Sequence, residues 1–242
     1  MLKRLLVLGM VVMFCAGCGS SSRGNNDAPE KTESDAIFEG AWEVEGEGGE
    51  DYTATLTVSK QAGDCYLLRW DSDGESREGD GYKFGEYLCV ECPSGEGTFG
   101  LYKKDGDKIT GIFTTLENPR ILTERSKGAS RLAPSRRDLS GSWSVRNTSD
   151  GDRYTWTDTL NVVRRGQTYI ATWGPVDEPV LSGAGLGYDD ILIVGAGVGG
   201  GITVKMFKVI GSGLEGRFFY TEYDEETGEV NFVTGKEKAV RE

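Results

Sequence analysis

Gly40-Ala-Trp42-Glu-Val44 returns as Gly141-Ser-Trp143-Ser-Val145, and the residues that follow keep the same order. Leu56-Thr-Val58 returns as Leu160-Asn-Val162, and Gly63, Tyr66 and Trp70 return as Gly166, Tyr169 and Trp173. Further on, Thr98, Lys103, Gly106, Gly111 and Phe113 recur without gaps as Thr203, Lys208, Gly211, Gly216 and Phe218, each 105 positions later. Two copies of one unit therefore fill most of the chain, and a fold reading has to start from that period. Neither copy carries a long helical stripe. Both consist of short runs with period-two alternation, rich in Val, Ile, Thr, Phe, Tyr and Trp, broken by Gly, Asp, Asn and Ser, which is how strands and hairpins read.

The first copy supplies runs at 40–46, 52–60, 65–72, 77–84, 86–92, 97–104, 108–116 and 119–125. The second supplies 141–147, 154–164, 167–174, 180–187, 190–195, 201–209, 213–223 and 229–235. Asp105-Gly106-Asp107 and Gly211-Ser212-Gly213 mark tight turns between them, because Gly tolerates positive φ. Leu56 and Val58 alternate with Thr55, Thr57 and Ser59, so one face is apolar and the other polar, as an antiparallel sheet around a core requires. Eight hairpin-linked strands close most simply into an up-and-down barrel without exposed edges. The expectation is all-β, two tandem antiparallel barrels, with two β-sandwiches as the alternative. The division expected is repeat 1 over 37–126, a basic linker over 127–138, and repeat 2 over 139–242.

The first 36 residues read differently. Lys3 and Arg4 precede an apolar stretch from Leu5 to Ala16, the pattern of a signal peptide over 1–17 and too short for a spanning helix of about 20 residues. It runs into Cys15-Ala16-Gly17-Cys18, which resembles the bacterial lipobox, and the resemblance implies lipidation of Cys18 and anchoring in the cell envelope, at the outer membrane or cell surface. Residues 18–36 are Ser-, Asn-, Asp- and Glu-rich with no bulky apolar side chain, so they read as a disordered tether.

The Gly-x-Trp on the first strand of each copy (Gly40/Trp42, Gly141/Trp143) is similar to the first-strand signature of the calycins, the lipocalin and avidin group of eight-stranded barrels. That resemblance implies the barrel fold and, as one functional reading, a carrier of a small apolar ligand. Trp42, Trp70, Trp143 and Trp173 are then the ligand-lining candidates, against the plainer reading that tryptophans in a β fold are core.

Composition removes several chemistries. Histidine is absent, so Ser-His-Asp and Cys-His catalysis and His-containing zinc sites do not apply. The net charge of −12 repels phosphate backbones, so nucleic acid is not the expected partner. Residues 37–126 carry 19 acids against 9 bases and 139–242 carry 15 against 10, while 127–138 carries four bases and one acid. Ile191-Leu-Ile-Val-Gly195-Ala-Gly197-Val-Gly-Gly200 matches the dinucleotide fingerprint in spacing, yet Ile202-Thr-Val-Lys-Met-Phe follows where a phosphate-binding helix would have to start. No cofactor is expected. Asp71-Ser-Asp73-Gly-Glu75 has its Gly at the fourth position of a calcium loop and Tyr82 at the twelfth, so an acidic turn is the reading and no metal is expected.

Cys65, Cys89 and Cys92 remain after processing. One disulfide and one free thiol is the simplest outcome in an oxidising compartment, with the pairing left open. The functional expectation is a membrane-anchored lipoprotein that acts as a non-catalytic binding or adhesion module for an unknown protein or small molecule; an apolar-ligand carrier and an envelope scaffold are the alternatives.

Overall fold

The computed structural model describes residues 37–49, 51–61, 63–92, 97–114, 122–132, 138–148, 155–175, 177–197, 202–224 and 227–242. The expected signal peptide, Cys18, the expected tether and residues 133–137 of the expected linker lie outside them. The described residues form sixteen strands: β1 Gly40–Glu47, β2 Tyr52–Lys60, β3 Cys65–Ser72, β4 Glu75–Phe84, β5 Tyr87–Glu91, β6 Gly97–Asp105, β7 Lys108–Thr114 and β8 Leu122–Leu132. The second copy gives β9 Gly141–Thr148, β10 Thr155–Arg165, β11 Thr168–Trp173, β12 Leu181–Tyr188, β13 Ile191–Gly197, β14 Thr203–Ile210, β15 Gly213–Tyr223 and β16 Val230–Arg241.

All pairings are antiparallel, and the strands close into two eight-stranded barrels, which agrees with a calycin-like double barrel and not with two sandwiches. The division of the chain between the barrels corrects the expectation that each repeat closes on itself. One barrel, here the terminal barrel, is β1–β5 continued by β14–β16, with β16 returning to β1. The other, the central barrel, is the contiguous run β6–β13, closed by β13 on β6. Each barrel thus takes five strands from one copy and three from the other, and the central barrel is inserted in the terminal one. At the end of the β5–β14 pairing the Cys92 N–H donates to the Thr203 carbonyl at 3.0 Å.

The linker expectation is corrected as well. Its first residues continue β8 to Leu132, pairing with β9 through register shifts at Ser126/Ala129 and Ala129/Arg131. The extra residues of a bulge let a strand bend to close a barrel.

Each lumen is a packed core. In the terminal barrel Trp42, Val44, Leu56, Val58, Leu68, Trp70, Leu88, Val90 and Phe207 fill it. Phe38 closes one end, edge-on to Tyr66 at 6.2 Å, with its carbonyl taking the Trp42 Nε1–H at 3.1 Å. In the central barrel Trp143, Val145, Leu160, Val162, Tyr169, Trp173, Leu192 and Val194 do the same, under Leu139.

A third apolar cluster joins the barrels: Tyr87, Cys89, Phe99, Leu101, Leu186, Ile191, Ile193, Val204, Met206 and Phe219. It explains why Tyr87 to Val90 and Ile191 to Ala196 are buried without alternation. One face of each of these strands fills a lumen and the other packs on the opposite barrel. It also explains a glycine of the Gly-rich run: a Cβ on Gly195 would fall 2.4 Å from Ile202 Cγ2. The strand expected at 190–195 is β13, which runs on through Gly195 and Gly197, and the hairpin loop expected at these glycines is corrected, since β13 pairs with β12 and β6 and not with β14. The acidic Asp73-Gly74 turn is a two-residue hairpin loop, with φ of 48° and 82°, and its pairs Asp71↔Ser76 and Ser72↔Glu75 continue the ladder.

Candidate functional site

Among the described residues each lumen buries one glutamate, at equivalent places. Glu237 of β16 faces Gly216, and Glu124 of β8 faces Gly111, the residue 105 positions earlier. Both carboxylates are almost fully buried. Both have an oxygen, Oε2, with no hydrogen-bond partner. A carboxylate in such a place is costly unless it is paired or protonated, and the two barrels deal with it differently.

In the terminal barrel Glu237 Oε1 accepts from the Lys205 ammonium and from the Tyr52 hydroxyl, and Lys205 also reaches Tyr52 Oη at 3.3 Å. The Tyr52 ring occupies the space beside Gly46, where a Cβ would fall 2.2 Å from its Cε1. The ammonium sits 4.3 Å from the Trp70 ring centroid and 5.7 Å from those of Tyr52 and Phe218, within cation–π range. Burial pushes the Glu237 carboxyl up and the Lys205 ammonium down, while contact between them favours the ionised form of both. Trp70 stacks on Phe207 at 6.4 Å, and its Nε1 is buried without a partner.

In the central barrel the polar ends of Tyr102, Trp173 and Asn147 are turned to Glu124 and favour its ionised form. Trp173 Nε1–H also reaches the Tyr102 hydroxyl at 3.1 Å. Burial raises the Glu124 carboxyl to about 7, with the Asp158 charge pushing the same way. Gly100 stands where the other barrel has Lys205: Gly100 faces Phe113 and Lys205 faces Phe218. Tyr102 stands where the other has Phe207.

The four tryptophans named from sequence are therefore core residues, none more than 5% exposed. Trp42 and Trp143 lie towards one end of each lumen, with Trp143 Nε1–H bonded to the Asp107 carbonyl at 3.0 Å. Trp70 and Trp173 border the buried carboxylates. Lys205, Glu237, Tyr52, Glu124, Tyr102 and Asn147 carry the polar chemistry, and sequence reasoning missed all six. The available signal was weak. Glu237 lies in Lys236-Glu237-Lys238, which reads as a charged surface, and the two glutamates are 113 positions apart, not 105.

Cys89 and Cys92 are both free thiols, so neither pairs with Cys65 or with the other, which corrects the expected disulfide among the three. Their spacing puts them on opposite faces of the chain. Cys89 enters the cluster between the barrels and Cys92 packs against the terminal lumen. Burial holds the Cys89 thiol well above its ordinary range and raises Cys92 to about 11. Such thiols are inert.

Among the described residues no three His, Cys, Asp or Glu side chains converge as a metal site. No protein family, curated protein or solved structure matches the chain.

Proposed function

We propose that this chain is an envelope or cell-surface lipoprotein, anchored through Cys18, that works as a non-catalytic binding or adhesion module through the outer surface of its terminal barrel. The lipobox-like Cys15-Ala-Gly-Cys18 supports the address. The binding reading is carried by the hairpin of β15 and β16, where Tyr223, Val230 and Phe232 are 67%, 53% and 50% exposed. They share one face, since Tyr223 pairs with Val230 and Thr221 with Phe232. Phe232 packs at 5.7 Å on Phe219, a buried member of the cluster between the barrels, so the patch continues that apolar seam into solvent. Contiguous exposed apolar residues of this kind mark interaction sites.

Packed lumens lined by the paired tryptophans favour this reading over an apolar-ligand carrier. Two experiments test it. Cys18→Ser should move the protein from the membrane to the soluble fraction; unchanged membrane association removes the anchor. The double variant Tyr223→Ser/Phe232→Ser should keep its melting temperature and lose its binding partners in envelope fractions. Retention of the same partners would show that the patch is not the binding face.

A further inference from the structure

We propose that the central barrel binds a small primary ammonium ion at Glu124, beside the buried Glu124 and Asn147 oxygens that have no partner. The inference does not depend on the docking face above. It rests on a comparison that the chain makes with itself. The terminal barrel shows what its lumen accepts: one desolvated ammonium held by a carboxylate and by the faces of Trp70, Tyr52 and Phe218.

The central barrel keeps the carboxylate as Glu124 and keeps the rings as Trp173 and Phe113, 5.4 Å apart, with Tyr102 at 6.4 Å from Trp173. It lacks the cation, because Gly100 has no side chain to supply one. Among the described residues Glu124 forms no ion pair. The cross-strand neighbours Glu124 and Asn147 instead leave two buried oxygens, Oε2 and Oδ1, without partners, and both side chains are more than nine-tenths buried. Unmatched acceptors of this kind select a ligand that only donates, and a nearby carboxylate selects a positive one. Ring faces favour an ammonium over a neutral amide. Size is limited: a Cβ on Gly100 would fall 2.7 Å from Tyr102 Cε2, so the path that the lysine stem takes in the other barrel is occupied by the Tyr102 ring. The ligand class is therefore ammonium itself or a one- to few-carbon primary amine.

The test is saturation-transfer NMR of the full chain with methylammonium chloride in amine-free buffer, with acetamide as the neutral control. Wild-type protein should bind methylammonium at a single site and ignore acetamide, and Glu124→Gln should lose that binding. Absence of saturable binding, or binding unchanged by Glu124→Gln, overturns the proposal. Equal displacement by potassium chloride would show a bare-cation site and overturn the ligand class. Should Glu124→Gln fail to fold, wild-type protein still decides: protons compete for the carboxylate, so affinity must fall as the pH drops below about 7, and a flat profile sinks the idea. Lys205→Ala supplies an independent reading. Removing the tethered ammonium should open a second methylammonium site in the terminal barrel and raise the stoichiometry from one to two; no gain would show that the shared cage does not define the ligand.

Discussion

At the residue scale, the two glutamates place opposite demands on one scaffold. Lys205→Met strands Glu237 as an unpaired buried acid and should cost about 3–5 kcal/mol in denaturant unfolding, whereas Lys205→Met/Glu237→Leu should recover most of that loss, because an apolar pair of similar volume is not penalised by desolvation. Glu124 predicts a pH dependence. Its folded value of about 7 exceeds the ordinary 4.5, so between those limits the folded state holds more protons than the unfolded one. The stability it contributes is complete below about 4.5 and is lost as pH rises through about 7. Glu91, raised to about 7 by burial and then by Asp80, adds to the same slope. In amine-free buffer, Glu124→Gln should flatten the pH–stability curve between about 4.5 and 7 by on the order of 3 kcal/mol. An unchanged slope would place the titration elsewhere. Trp143→Ala, which empties the largest contact in the central lumen, should cost about 3–5 kcal/mol.

At the element scale, alternation located the strands because a half-buried strand leaves a period of two in the sequence. Strands β2, β3 and β15 have the expected bounds. Strands β5 and β13 also fall within two residues of the runs expected at 86–92 and 190–195, but their second buried face was not legible. Strands β5 and β13 are buried on both faces, so they look like plain apolar runs, and the second buried face belongs to a barrel that a local pattern cannot see. Strands β8 and β16 extend past their expected ends because the added residues carry Lys127, Arg131, Lys236, Glu237, Lys238 and Arg241 and so read in the sequence as linker or tail. Glycine in these strands has a testable steric role. A Cβ on Gly185 would fall 1.8 Å from the Ile193 carbonyl oxygen, a backbone atom that cannot swing aside. Gly185→Ala should therefore lower stability by about 1–3 kcal/mol, the range for overpacking. Gly63, with open space around it, carries no such clash.

At the scale of the whole molecule, the exchange of three strands makes the halves of the chain interdependent. Cleavage at a protease site introduced between residues 133 and 137 cuts between the copies, yet β14–β16 of the second half complete the barrel begun by β1–β5. The nicked protein should elute from a sizing column as one species under native conditions and separate into two fragments only in denaturant. Separation under native conditions would mean that each repeat closes its own barrel. The ring stacking of Arg217 on Tyr188 and the Tyr87–Asp189 hydrogen bond of 2.5 Å add a polar lock beside the shared apolar cluster, so the barrels should also melt in a single transition.

The sequence by itself determined the duplication, the strand content, the inward position of Trp42, Trp70, Trp143 and Trp173, and the hairpin turns, because each of these is set by neighbours a few residues away or by direct comparison of the copies. Only the tertiary structure decided which three strands complete each barrel. Strands β6–β8 and β14–β16 descend from one pattern and offer β5 and β13 equivalent partners, so local chemistry does not distinguish the two closures. It also decided that Glu124 and Glu237 point inward, since a carboxylate's burial depends on which strands close around it: Glu124 faces Gly111 and Glu237 faces Gly216, and the Tyr102 and Phe207 rings lie over those glycines.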